Sequence, residues 1–197
     1  MKLEGKRIGF AITGSFCTFQ DIVSPLQDLV AAGADVYPVM SEAAYSYDTK
    51  FGGAAHWRNL VEGLTGRAII HTIVGAEPIG PGKLLDLIIV APCTGNTLAK
   101  LANAITDTPV TMAVKAHLRN GRPVLIGIDS NDGLGQNAKN IGALLAAKNF
   151  YFVPFGQDNV LAKPTSLVAD MSQLGLAAEM ALEGRQLQPI LVNHSAH

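Results

Sequence analysis

Short apolar runs alternate with helix-spaced apolar positions along this chain, and no other feature limits its possible folds as strongly. Residues 8–12 are an apolar run flanked by Lys6-Arg7 and Thr13-Gly14, the pattern of a buried strand. Ile22, Leu26, Leu29 and Val30 then recur at helical spacing, and Gly33 closes that helix. Residues 35–40 form a second strand. Residues 41–55, with Tyr, Ser, Thr and the pair Gly52-Gly53, keep no period and are expected to be a mobile loop. A short helix is expected at 56–64, a third strand at 68–73 and a turn-rich link at 75–82. Residues 86–91 are the clearest strand. Beyond it, Leu98, Leu101, Ala102 and Ile105 share a helix face, 110–118 is a helix, 123–128 a strand and 129–136 a loop. Ile141, Leu144 and Leu145 mark another helix, and 150–153 a short strand. Leu167, Met171, Leu174 and Ala178 are expected on the inner face of a last long helix, capped by Thr165.

Strand and helix thus recur roughly every 25 to 35 residues, the spacing of repeated βαβ units. The expected fold is α/β: a doubly wound parallel sheet with helices on both faces, a flavodoxin-like or Rossmann-like three-layer sandwich. It is expected to be one domain over residues 1–192, followed by a polar, frayed tail at 193–197.

Composition narrows the function classes. Of 197 residues 48% are hydrophobic and 16% charged, which supplies a large core and a surface sparing in charge. Such a surface is usually covered by something, so a homo-oligomer is expected. The formal net charge is −1 and no Lys/Arg run is dense enough for a nucleic-acid footprint. With a polar start at residues 1–7, no signal peptide is expected. The longest apolar run, 84–92, is interrupted by Asp86 and is too short to span a bilayer. A cytoplasmic chain with Cys17 and Cys93 reduced is the resulting expectation.

Ligands of doubly wound sheets bind beyond the carboxyl ends of the strands, which selects three turns. In the first, residues 13–18, Gly14 permits a tight bend, and the hydroxyls of Ser15 and Thr18 with helix-start N–H groups suit an anion. It is neither a G-x-G-x-x-G nor a Walker A loop, and a plain N-cap is the alternative. In the second, residues 91–97, Pro92 is expected to pull the chain out of the sheet, while Thr94, Asn96 and Thr97 bring donors to a helix start. The third, residues 129–137, carries Asn131 and can close over the edge or be a solvated loop. Cys17 and Cys93 both fall in these turns, where packing is the commoner role for a free thiol, and no His/Cys cluster completes a metal site. His56 is an acid–base candidate and Trp57 a candidate lid, with helix packing at an interface between copies the alternative. Lys163 can pair with a carboxylate; Arg119, Arg122 and Arg185 are expected in solvent.

The Gly14-Ser15 turn, the segment Ala91-Pro92-Cys93-Thr94-Gly95-Asn96-Thr97-Leu98-Ala99-Lys100 and Ala104-Ile105-Thr106-Asp107 resemble the flavoprotein family of phosphopantothenoylcysteine decarboxylases and flavin prenyltransferases. There the segment usually reads Pro-Ala-Ser/Thr-Ala-Asn-Thr and the helix ends in Gly-Ile-Ala-Asp. The resemblance covers about residues 5–180. It implies that Gly14, Ser15 and Thr18 hold a phosphate, and that Thr94, Asn96 and Thr97 contact FMN or an equivalent ligand. Two parts of the decarboxylases are missing. Their catalytic His falls here on Pro78, with Ile79 after it, and their Pro-Ala-Met-Asn is replaced by Gly127-Ile128-Asp129-Ser130-Asn131. Within the family, residues 92–107, 129–134 and 153–158 are nearer to the flavoprotein-like subunits of the oxidoreductase that makes pyridine-2,6-dicarboxylate from its dihydro precursor in sporulating bacteria. That resemblance implies a partner similar to a nicotinamide-dependent dehydrogenase, a small dicarboxylate substrate, and assembly as a trimer or dodecamer. No side chain accepts hydride, so the acceptor is NADP on the partner or FMN here. The anion turns suit a flavin phosphate or a substrate carboxylate alike.

Overall fold

All seven residues of Leu87–Cys93 are buried, as expected for a strand covered on both faces of a largely parallel sheet. The computed structural model describes residues 2–192; the tail expected at 193–197 lies outside the described residues. In chain order the elements are β1 (Arg7–Ile12), α1 (Val23–Ala31), β2 (Asp35–Met40), α2 (Glu42–Ser46), α3 (Ala54–Thr65), α4 (Ile73–Ala76) and β3 (Leu87–Cys93). They continue with α5 (Gly95–Ala102), α6 (Pro109–Leu118), β4 (Val124–Ser130), α7 (Ala138–Leu145), β5 (Phe150–Phe152), β6 (Phe155–Gln157), β7 (Leu167–Ala169) and α8 (Leu174–Leu182).

The sheet runs β2-β1-β3-β4-β7-β6, with β5 paired to β4 off this path. β1, β2, β3, β4 and β5 pair in parallel. The expected doubly wound α/β sheet with flanking helices is present, but it is mixed. β7 joins antiparallel to Asp129 and Ser130 at the far end of β4, and β6 pairs antiparallel with β7. The two partners of β4 on that side divide it: β5 takes Val124 to Ile126, and β7 takes the last two residues. At the outer edge of β2, Ile70 bridges Val39, donating its N–H to Pro38 O and accepting from Met40 N–H at 2.9 Å each. At the outer edge of β6, Leu191 bridges Phe155 in the same way, with Phe155 N–H to Ile190 O at 2.9 Å and Val192 N–H to Phe155 O at 3.0 Å.

Caps explain where several helices start. Thr94 accepts from Thr97 N–H to open α5. Thr108 and Thr111 form a reciprocal capping box around Pro109, the first residue of α6. Gly66, at φ 66°, ends α3 in the left-handed region.

Several expectations are corrected. Residues 41–55 contain α2, because the Ser41 hydroxyl accepts from Ala44 N–H and starts a helix too short to show a period. The strand expected at 68–73 is reduced to the Ile70 bridge, since Thr72 caps α4 and turns the chain away. The turn-rich link at 75–82 is part helix. Pro92 stays in β3: the register shifts between Val90 and Cys93, which accommodates the missing N–H. Pro92 O instead accepts from Thr13. The long terminal helix splits. Residues 167–169 are β7, Asp170 caps a 3-10 turn at Met171–Gln173, and α8 begins at Leu174. Thr165 is no cap; its hydroxyl donates to Asn131 O at 2.6 Å. Arg122 is not free in solvent. It donates to the carbonyls of Lys83 and Leu85 and pairs with Asp86 at 3.3 Å, supplying donors where β3 begins.

His117, near the end of α6, is fully buried. Its Nε2 lies 2.9 Å from Pro123 O, so Nε2 carries the hydrogen, and Nδ1 has no partner among the described residues. Burial lowers its pKa to about 4. The unfolded chain, with an ordinary His near 6.5, binds the proton first, so stability is full above that value and is lost as pH falls from 6.5 toward 4. The melting temperature of the chain is expected to decline across this window, and His117→Gln to flatten the decline; an unchanged slope would remove His117 as its source.

Candidate functional site at the carboxyl ends of the strands

The turns after β1, β3 and β4 meet at one rim and are tied together by hydroxyls. Thr13, buried at the end of β1, donates its Oγ1 to Pro92 O at 2.7 Å and accepts from Thr94 N–H at 3.0 Å. One side chain thereby holds the first and second turns in register. Ser15 Oγ donates to Asp129 Oδ2 at 2.7 Å, joining the first turn to the end of β4. Thr18 Oγ1 donates to Ser15 O at 2.8 Å and closes the 3-10 turn Phe16–Thr18. A Cβ on Gly14 would meet Ala43 at 3.3 Å, so α2 also stands against this rim.

The sequence candidates divide by position. Gly14, Ser15, Thr18 and Thr94 are half-buried at the rim, while Pro92 and Thr97 are buried beneath it. The Thr97 hydroxyl meets that of Thr94 at 3.1 Å. Asn96, second residue of α5, is exposed. Asn131 is exposed on the flank, its carbonyl taken by Thr165.

The third turn is braced. The Asp132 carboxylate accepts from Ser130 Oγ at 2.6 Å and from Asn137 Nδ2 at 2.8 and 2.9 Å. Asn140 donates to Asn137 Oδ1 at 2.8 Å. Hydrogen bonds from Ser130 and then Asn137 hold the Asp132 carboxyl below the usual carboxylate range. This network presses on the first residue of α5. A Cβ on Gly95 would lie 2.5 Å from Asn137 Nδ2, 2.6 Å from Ser130 Oγ and 2.8 Å from Asp132 Oδ1.

The two thiols are in different environments. Cys93 is fully buried, and burial, with the Asp129 charge adding to it, pushes its thiol far up, so it packs as a neutral group. Cys17 is exposed, 4.0 Å from Ser15 Oγ. Trp57 is no lid: it is buried, edge-on to Phe19 at 5.4 Å. His56 is exposed beside it. His71 stacks on Tyr45 at 3.9 Å. Lys163 pairs with Asp158 at 2.6 Å, so its expected carboxylate is found. Among the described residues no group of three His, Cys, Asp or Glu could hold a metal ion. No described helix is long and apolar enough to cross a membrane.

Sequence reasoning passed over Asp129 as an individual residue. The signal was available: it is the first polar residue after the apolar run of β4, and that is where a parallel strand delivers side chains to a ligand. Chemically, the rim offers the Asn96 carboxamide, unengaged among the described residues, as a donor suited to an anion, beside the Asp129 carboxylate, which is suited to a proton.

A parallel-dominated sheet with flanking helices defines a Rossmann-like fold, and the chain belongs to the flavoprotein family, whose model matches residues 1–174. It is similar to the B subunit of dipicolinate synthase from Bacillus subtilis (strain 168), with 50% identity over 192 residues, covering 98% of this chain and 96% of that protein. The crystal structure of the dipicolinate synthase B subunit from Bacillus halodurans C superposes with a TM-score of 0.90 at 48% identity, over 98% of this chain and 99% of that one. The FMN-dependent cysteine decarboxylase SpaF shares the fold, with a TM-score of 0.70 at 18% identity over 93% and 99% of the two chains.

Gly95→Ala is expected to destabilise the chain by about 1–3 kcal/mol, the cost of overpacking a tight contact. Chemical denaturation measures this; an unchanged midpoint would show that the Ser130–Asp132–Asn137 network yields without cost.

Proposed function

We propose that this chain is the flavoprotein-family component of a dipicolinate synthase. With a nicotinamide-dependent partner, the A subunit of dipicolinate synthase, it oxidises dihydrodipicolinate to dipicolinate, in the cytoplasm of the mother cell of a sporulating bacterium. The observation that carries this reading is similarity over the whole length: half of the residues match those of the Bacillus subtilis B subunit across 98% of the chain. The rim chemistry supports it. A dicarboxylate is well served by neutral donors at the start of a helix. At the start of α5 the Asn96 carboxamide is such a donor, while Ser15, Thr18 and Thr94 spend their hydroxyl hydrogens on Asp129 Oδ2, Ser15 O and Thr97 Oγ1 and fix the turns around it, with Gly14 at the bend. Pro92 and Thr97 hold the second turn beneath, and Asn131 stands at the flank.

The hydride goes to NADP on the partner. Measured on dihydrodipicolinate with NADP, this chain alone and the dehydrogenase-like partner alone are expected to be inactive, and the mixture active. No activity in any combination would overturn the reading.

A second reading gives the same rim to FMN, and the fold shared with the FMN-dependent SpaF favours it. The donor set fits a flavin: the Asn96 carboxamide is exposed and makes no hydrogen bond among the described residues, two residues past Thr94, whose hydroxyl caps α5. Gly14, Ser15 and Thr18 would hold the phosphate, and Thr94 and Asn96 the ring. A flavin bound there would supply a hydride acceptor in this chain. Titrating FMN into the purified chain is expected to quench flavin fluorescence, and Asn96→Ala to weaken binding about tenfold, the worth of one hydrogen bond. Identical affinities would take Asn96 out of the site. A trimer or dodecamer of this chain, covering its low-charge surface, completes the proposal.

A further inference from the structure

Turning a dihydropyridine into a pyridine removes two hydrogens from the ring. One leaves with its electron pair as hydride, and the other must leave as a proton. A nicotinamide accepts only the hydride, so the proton needs a separate acceptor held at the substrate. This inference rests on the reading proposed above.

The rim offers few candidates. Cys93 is buried, with its thiol held neutral. The Asp132 carboxylate is saturated by Ser130 and Asn137. Lys163 is engaged by Asp158. His71 is stacked on Tyr45, and His117 is bonded to Pro123 O, before β4 begins and so at the opposite end of the sheet. Asp21 is exposed, and its carboxylate accepts no hydrogen bond from the described residues that would orient it. Asp129 differs from all of them. It is half-buried at the carboxyl end of β4, and its Oδ2 takes one hydrogen bond, from Ser15. Its Oδ1 accepts none from the described residues. The serine comes from a turn 114 residues away in sequence, so the contact is made by the fold and not by local chain geometry.

We propose that Asp129 is the proton acceptor of the dehydrogenation and that Ser15 positions its carboxylate. A ring-to-hydrogen bond breaks, an O–H bond forms on Asp129 Oδ1, and the electron pair left behind completes the aromatic ring as hydride departs to the oxidised nicotinamide of the partner. The charge of Asp129 is felt by Asp21, by Cys93 on β3 and by Lys163 in the β6–β7 connection, and Cys17 stands beside Ser15. These are the groups that face the carboxylate.

The test uses this chain mixed with the dehydrogenase-like partner. Asp129→Asn is expected to lower kcat about a hundredfold or more, the usual worth of a general base, with circular dichroism and dipicolinate affinity near wild type. Ser15→Ala removes the hydrogen bond that holds the Asp129 carboxylate in place. It is expected to lower kcat by less than Asp129→Asn does and to leave KM unchanged. An Asp129→Asn mixture as fast as wild type would overturn the assignment while leaving the reading above intact. So would a Ser15→Ala variant whose kcat equals that of wild type. An inactive wild-type mixture would overturn both.

Discussion

Burial of β3 on both faces is the constraint from which the rest of the structure follows. A strand with no solvent-facing side must satisfy its backbone through neighbours on both edges, and β1 and β4 supply them in parallel. Parallel pairing sends all three strands out of the sheet at the same end, so their turns meet whether or not they were adjacent in sequence. The hydroxyls of Thr13 and Ser15 then convert proximity into fixed geometry. One ties the first turn to the second, and the other ties it to the end of β4. The rim is thus the place where a hydrophobic requirement ends and hydrogen bonding takes over.

How much of this could be read from the sequence depended on length and repetition. β1, β2, β3, α3 and α6 were legible because each carries a run or a period longer than its noise. The turns after β1 and β3 were legible as the carboxyl ends of neighbouring strands, and so as the candidate site, because the topology rule needs only strand order. What escaped was short or non-local. α2 has five residues, too few for a period, and is started by a single Ser41 cap. β6 and β7 have three residues each, and the apolar spacing of Leu167, Met171 and Leu174 mimics a helix across a strand, a cap and a true helix. The Ser15–Asp129 contact has no local signature at all.

The third turn shows how a polar stretch can be structural. Ser130, Asp132, Asn137 and Asn140 look like a solvated loop in sequence, yet they spend their hydrogen bonds on one another and press on Gly95. The rigidity of the α5 start, where Thr94 and Asn96 stand, is therefore set from below by side chains that need never touch a ligand. Asp129, just before this network closes on Asp132, is a carboxylate held through one oxygen by Ser15, with the other open among the described residues.

The single bridges at Ile70 and Leu191 have a consequence for assembly. An exposed outer strand is a template on which another chain can build. Here each end of the sheet is occupied by the protein's own backbone for part of its length, and Pro38 withholds a donor from the β2 side. Copies of this chain are therefore steered away from joining strand to strand into an open-ended ribbon.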